Sequence, residues 1–177
     1  NRPHAQVPPT LPPFLLHVDE NRQGAMIKRV ETDLEFQTRV KNIWVNYFNP
    51  PAPPAGVTHE QFMVMFAQHM NQVLKIAAAN VQKIKQRGGR IIMIRYPSSG
   101  KILELENKLF PDAIFWNRIV SEVKPDMEIS YEDYGELQGF VCPEDSHLRF
   151  EDAVKFTQGL ISIIGKALPE YQSEGVR

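Results

Sequence analysis

The run Arg90 to Tyr96, RIIMIRY, stands directly behind the glycine pair Gly88 and Gly89, and it constrains the fold more than any other stretch. A short, nearly continuous apolar run reads as a strand covered on both faces, as in a parallel sheet between helices. The flanking sequence supplies the helices. Upstream, Thr58 and Gln61 make a capping-box start, and Phe62, Phe66, Met70, Val73, Ala77, Val81 and Ile84 form a helical stripe that ends at the glycine pair. Phe62, Phe66 and Val73 are expected to pack on the strand. Downstream come the turn Pro97 to Gly100, a helix over Lys101 to Leu109 and a shorter one over Ala113 to Val123. A second strand over Asp126 to Tyr131, the loop Glu132 to Gly139 and a strongly helical run from Phe150 to Leu168 complete the order. With right-handed crossovers, this order predicts an α/β fold: three layers, with a short parallel sheet and flanking helices.

The front of the chain is less regular. Asn1 to Pro13 holds five prolines and no periodic pattern, so residues 1–13 are expected to be an extended arm or linker. Phe14 to Val18 reads as a short strand, and Ala25 to Phe48 as one long amphipathic helix stopped by Asn49 to Gly56, NPPAPPAG. Residues 14–168 then form a single α/β domain, and 169–177 a tail. A chain that opens on Asn1 is expected to be a processed or excised piece.

Charge and cysteine usage exclude several functions. Twenty basic residues against twenty-one acidic ones give a net charge of -1, which provides no sustained positive field for nucleic acid. The local cluster Lys83, Lys85, Arg87 and Arg90 suits a helix end. The single cysteine, Cys142, rules out an internal disulfide framework and any multi-cysteine metal site. No apolar run approaches the roughly 18 residues of a membrane span. His69 has no second histidine one turn away, and SSGK at Ser98 to Lys101 lacks the glycine and hydroxyl positions of a phosphate loop. Ser98 and Ser99 also lack the glycines of a nucleophile elbow. No spacing implies a metal or an organic cofactor.

The candidate chemistry lies in Phe140 to Phe150, FVCPEDSHLRF. Cys142 and Pro143 open a loop that sets Glu144 and Asp145 just before His147, at the entrance to the last helix. A carboxylate on one ring nitrogen fixes the tautomer of a histidine and stabilises its charged form, which makes His147 a candidate general base with Glu144 as its partner. The same residues admit a plainer reading, in which Asp145 or Ser146 caps the following helix and His147 is a polar surface residue.

The blocks YPSSGK, LENKLFP, FWNRIV, ISYEDYGELQGF and CPEDSHL, in that order between about Gly88 and Leu168, resemble the C-terminal half of SGNH/GDSL-type hydrolases. The sharpest is the last, with its form Pro, acid, any residue, Ser, His, Leu. The resemblance implies a flavodoxin-like architecture and serine esterase or acyl-transfer chemistry on a small-molecule or glycan ester, such as an O-acetyl group. It also implies a location outside the cytoplasm. His147 would be the base and Glu144 the orienting acid; the family normally places Asp at the latter position, so Asp145 is the alternative acid. The family's Gly-Asp-Ser nucleophile block and its glycine and asparagine oxyanion donors are not recognisable, and Asn1 to Gly24 contains no serine. The alternative is therefore a catalytically incomplete scaffold that serves as a binding or structural domain.

Overall fold

A computed structural model describes residues 15–18, 20, 22, 24–48 and 52–168 of the 177. The proline-rich arm, Phe14 and the tail 169–177 lie outside the described residues. Among the described residues the fold is mixed α/β, predominantly helical, with two two-stranded sheets. The chain divides into two compact units, one drawing on Asn1–Phe48, Pro97–Glu104 and Gly135–Arg177 and the other on Asn49–Tyr96 and Leu105–Tyr134.

The second unit contains the parallel pair. β3 (Ile92–Arg95) lies parallel to β4 (Met127–Ser130), with Ile92 opposite Met127 and Arg95 opposite Ser130. The two strands are linked through α4 (Gly100–Leu109) and α5 (Trp116–Val123), the helical crossover that parallel pairing requires. The expectation of a strand covered on both faces is corrected: all four β3 residues are only half-buried, so the elements packed on the strand's faces cover them incompletely. Asp126 fastens the entry to this sheet, accepting from the Ile91 amide at 2.9 Å and pairing with Lys85 at 3.1 Å. At the exit, Arg95 pairs with Asp112 at 2.5 Å and Glu132 at 3.0 Å, and its guanidinium lies over the Tyr131 ring. Burial and the Glu132 carboxylate push the Tyr131 phenol up to about 12.

α3 (His59–Gln86) starts as the sequence predicts: the Gln61 amide donates to Thr58 Oγ1 at 3.2 Å, and Gln61 Oε1 accepts from the Thr58 amide at 2.9 Å. Thr58→Ala should cost about 1 kcal/mol in urea unfolding, the usual loss for an N-cap hydroxyl. The buried face of α3 differs from the expected stripe. Leu74 and Val81, with Ala77, pack with Val123, Ile91, Met93 and Ile119, while Phe66 and Val73 are exposed. This helix is apolar on more than one side, so periodicity alone does not select the side that meets the sheet.

The first unit begins with an antiparallel hairpin, β1 (Leu16–Val18) and β2 (Gly24–Met26), followed by α1 (Lys28–Thr32) and α2 (Leu34–Phe48). The single helix expected over Ala25 to Phe48 is therefore a strand and two helices. The break falls at Asp33, whose carboxylate accepts from the Phe36 amide at 2.9 Å and from Arg29 at 2.9 Å. A side chain that satisfies the free amides of a new helix start competes with continuing the old one. Leu15, Met26, Val30, Phe36 and Val40 are buried together here, with Ile27 and Trp44 packed beside them. α6 (Phe150–Ala167) approaches the short 3-10 turn Gly135–Leu137 through Gly159, where a Cβ would stand 3.0 Å from Leu137 and 3.1 Å from the Glu136 carbonyl.

Candidate functional site

The loop 140–149 owes its shape to one residue in an unusual conformation. Asp145 has φ +76°, a left-handed geometry that short Asp side chains tolerate better than most, and its amide donates to the Cys142 carbonyl at 3.1 Å. The two consecutive acids Glu144 and Asp145, both buried, take different partners.

Asp145 faces the start of α4. Its carboxylate accepts from the Lys101 amide at 3.0 Å and pairs with Lys41 of α2 at 3.0 Å, while its carbonyl accepts from the Ser99 amide at 2.9 Å. The turn after β3 is thus joined to the loop. Ser99 Oγ accepts from the Cys142 amide at 3.0 Å, and the Cys142 thiol lies 3.5 Å from the Pro97 carbonyl. An anionic side chain on the free amides of a helix start is favourable on both hydrogen-bond and dipole grounds. Asp145 therefore caps a helix, but it is α4 and not the helix that follows it. Arg149, at the N-cap position of α6, supplies no side-chain cap, and the Phe150 amide donates to Glu31 of α1 at 3.3 Å.

Glu144 is fully buried and faces His147. Its Oε1 lies 2.8 Å from His147 Nδ1; its Oε2 accepts from the Trp44 indole at 2.5 Å and from the Ser146 hydroxyl at 2.8 Å. The Ser146 amide adds a weaker bond to Oε1 at 3.3 Å. An indole N–H and an amide N–H can only donate, so both carboxyl oxygens act as acceptors, which favours the ionised form. An acceptor opposite Nδ1 places the proton on Nδ1, which leaves the lone pair of the neutral ring on Nε2. Among the described residues, the hydrogen bonds of this ring all fall on Nδ1, shared between Glu144 and Ser146 Oγ at 2.8 Å. The His147 side chain is 43% exposed.

The electrostatics follow from these contacts. Burial pushes the Glu144 carboxyl up, but hydrogen bonds from His147 and Ser146, the imidazolium charge and the Trp44 indole outweigh it and hold the acid below its ordinary value. The Glu144 hydrogen bond raises the His147 imidazole above its ordinary value against the opposing effect of burial. Each group favours the charged form of the other.

The structure brings together Glu144 and His147, as their spacing suggested, and assigns Asp145 to a different task. Two members of the cluster were missed from sequence. Ser146 was read only as a possible cap, although it adjoins both acid and histidine. Trp44 lies 100 positions from Glu144 and carried no local signal.

Compared with known proteins, the chain matches no family model, no curated protein and no solved structure. The site is a buried, ionised acid on Nδ1 of a half-exposed histidine. Among the described residues no group of three His, Cys, Asp or Glu side chains is placed to hold a metal ion, and no helix is long and apolar enough to cross a membrane.

Proposed function

We propose that this chain carries the acid–base part of an SGNH-hydrolase-like serine esterase or acyltransferase, acting on an ester such as an O-acetyl group. In this reading His147 is the general base through Nε2, and Glu144 is the acid that orients it. The observation that carries the reading is the 2.8 Å contact between Glu144 Oε1 and Nδ1, made by a carboxylate with no exposure to solvent. That arrangement holds the ring in the tautomer a base requires and stabilises the imidazolium formed when it takes a proton from a nucleophile. The parallel β3–β4 pair is consistent with part of a larger three-layer α/β sheet of the flavodoxin-like kind. The serine nucleophile would come from a Gly-Asp-Ser-type block outside these 177 residues.

A second reading is favoured by one specific observation. The Trp44 indole and the Ser146 amide and hydroxyl also end on Glu144, as they would if the acid were the pin of a binding or structural scaffold. A fluorophosphonate probe separates the two. The 177-residue chain should not label, because Ser98, Ser99 and Ser146 lack an oxyanion cradle in the sequence. The full-length gene product should label at one serine, and His147→Ala should slow that labelling by about 100-fold or more. A full-length product that resists the probe would sink the esterase reading and leave the scaffold. Labelling within the 177 residues would make the labelled serine the nucleophile.

A further inference from the structure

α3 presents a long apolar surface that its own unit does not cover. From Gln61 to Leu74 the helix contains no Asp, Glu, Lys or Arg, yet most of these residues are exposed. Phe62, Phe66, His69, Val73, Ile76 and Asn80 follow one another at alternating steps of four and three, the spacing of a coiled-coil seam. This ridge lies on a different side of the helix from Leu74 and Val81, which meet the sheet. Phe66, Val73 and Ile76 are 36, 44 and 55% exposed, and Met65 beside them is 53% exposed.

We propose that this ridge is an antiparallel homodimer interface, in which α3 of one chain packs along α3 of a second copy. The steps allow a self-complementary register that engages all six positions: Phe66 meets Ile76 of the second copy, His69 meets Val73, and Phe62 meets Asn80, each contact repeated by the two-fold axis. Direction follows from charge. Lys83 and Arg87 crowd the C-terminal end, so parallel pairing would bring two basic ends together, whereas antiparallel pairing separates them and opposes the helix dipoles. The area is sufficient. The helix is about 42 Å long, and half-open side chains along the seam leave on the order of 500 Å² per copy, which reaches the roughly 1,000 Å² that a specific interface needs.

Light scattering on the purified chain at micromolar concentration should give twice 20.3 kDa. Ile76→Glu should return the monomer mass with an unchanged far-ultraviolet circular dichroism spectrum. Direction is read separately, by mixing His69→Cys chains with Val73→Cys chains under oxidation: antiparallel pairing gives the mixed disulfide in preference to either homodimer. A monomer throughout the concentration range would overturn the proposal, as would a dimer that survives Ile76→Glu. Preferential formation of the two homodimer disulfides would overturn the antiparallel register.

Discussion

Glu144→Gln should lower stability by about 2–3 kcal/mol near pH 6 and bring the His147 pKa down toward or below its ordinary value. Breaking a fully buried ion pair costs about 3–5 kcal/mol, and the partial exposure of the ring, which lets water take up part of its charge, brings the figure down. The amide can still accept from the Trp44 indole through its oxygen, but its NH2 group then faces either Ser146 or the Nδ1 proton, so at least one donor loses its acceptor. The sign of the pH dependence follows from the two shifts. His147 is raised above 6.5, so its contribution is complete below that value and is lost as pH rises through the raised one. Glu144 is lowered below 4.5, so its contribution is complete above that value and is lost as pH falls through the lowered one. The pair therefore contributes most between about pH 4.5 and 6.5, and the gap between wild type and variant should narrow at alkaline pH. Urea unfolding across that range and NMR titration of the imidazole measure both effects. A titration unchanged by the substitution would show that Glu144 does not orient this ring.

Gly100→Ala should cost about 3 kcal/mol, a large effect for adding one methyl group at an exposed position. Gly100 has φ +50°, a conformation that costs other residues about 1–2 kcal/mol. Its Cβ would also stand 2.7 Å from both carboxylate oxygens of Asp145. Asp145 is itself buried, left-handed and engaged with Lys101 and Lys41, so it has little room to retreat. Displacing it removes the charge at the α4 start and adds about 1–2 kcal/mol. The matched control is Asp145→Asn, which keeps an acceptor near the Lys101 amide, removes the ion pair and leaves Gly100 unhindered; it should cost less. Equal stability of Gly100→Ala and wild type in thermal unfolding would refute the close approach.

Local signals in the sequence were reliable where one segment carried the whole instruction. The capping box at Thr58, the apolar run that contains Ile92–Arg95 and the three-residue step from Glu144 to His147 each need only neighbouring residues, and the structure has all three. The errors arose where a partner far along the chain decides. Ala25 to Phe48 has helical periodicity throughout, but one carboxylate at Asp33 divides it, and Gly24–Met26 pairs with a strand instead. Asp145 looked like a cap for the helix after it because it precedes that helix; it serves a helix 45 residues earlier in the chain, through a left-handed turn that sequence does not announce. Trp44 stands in the helical pattern of Ala25 to Phe48, and nothing near it in sequence indicates that its N–H has a carboxylate to reach.

α2 contributes Lys41 to Asp145 and Trp44 to Glu144, so residues three positions apart on one helix hold two consecutive residues of the loop. The helix thereby works as a phase gauge. Each residue turns its surface by about 100°, so inserting or deleting one between Lys41 and Trp44 would leave at most one of the two acids engaged. The number of residues between these two, and not only their identity, therefore sets the histidine's surroundings.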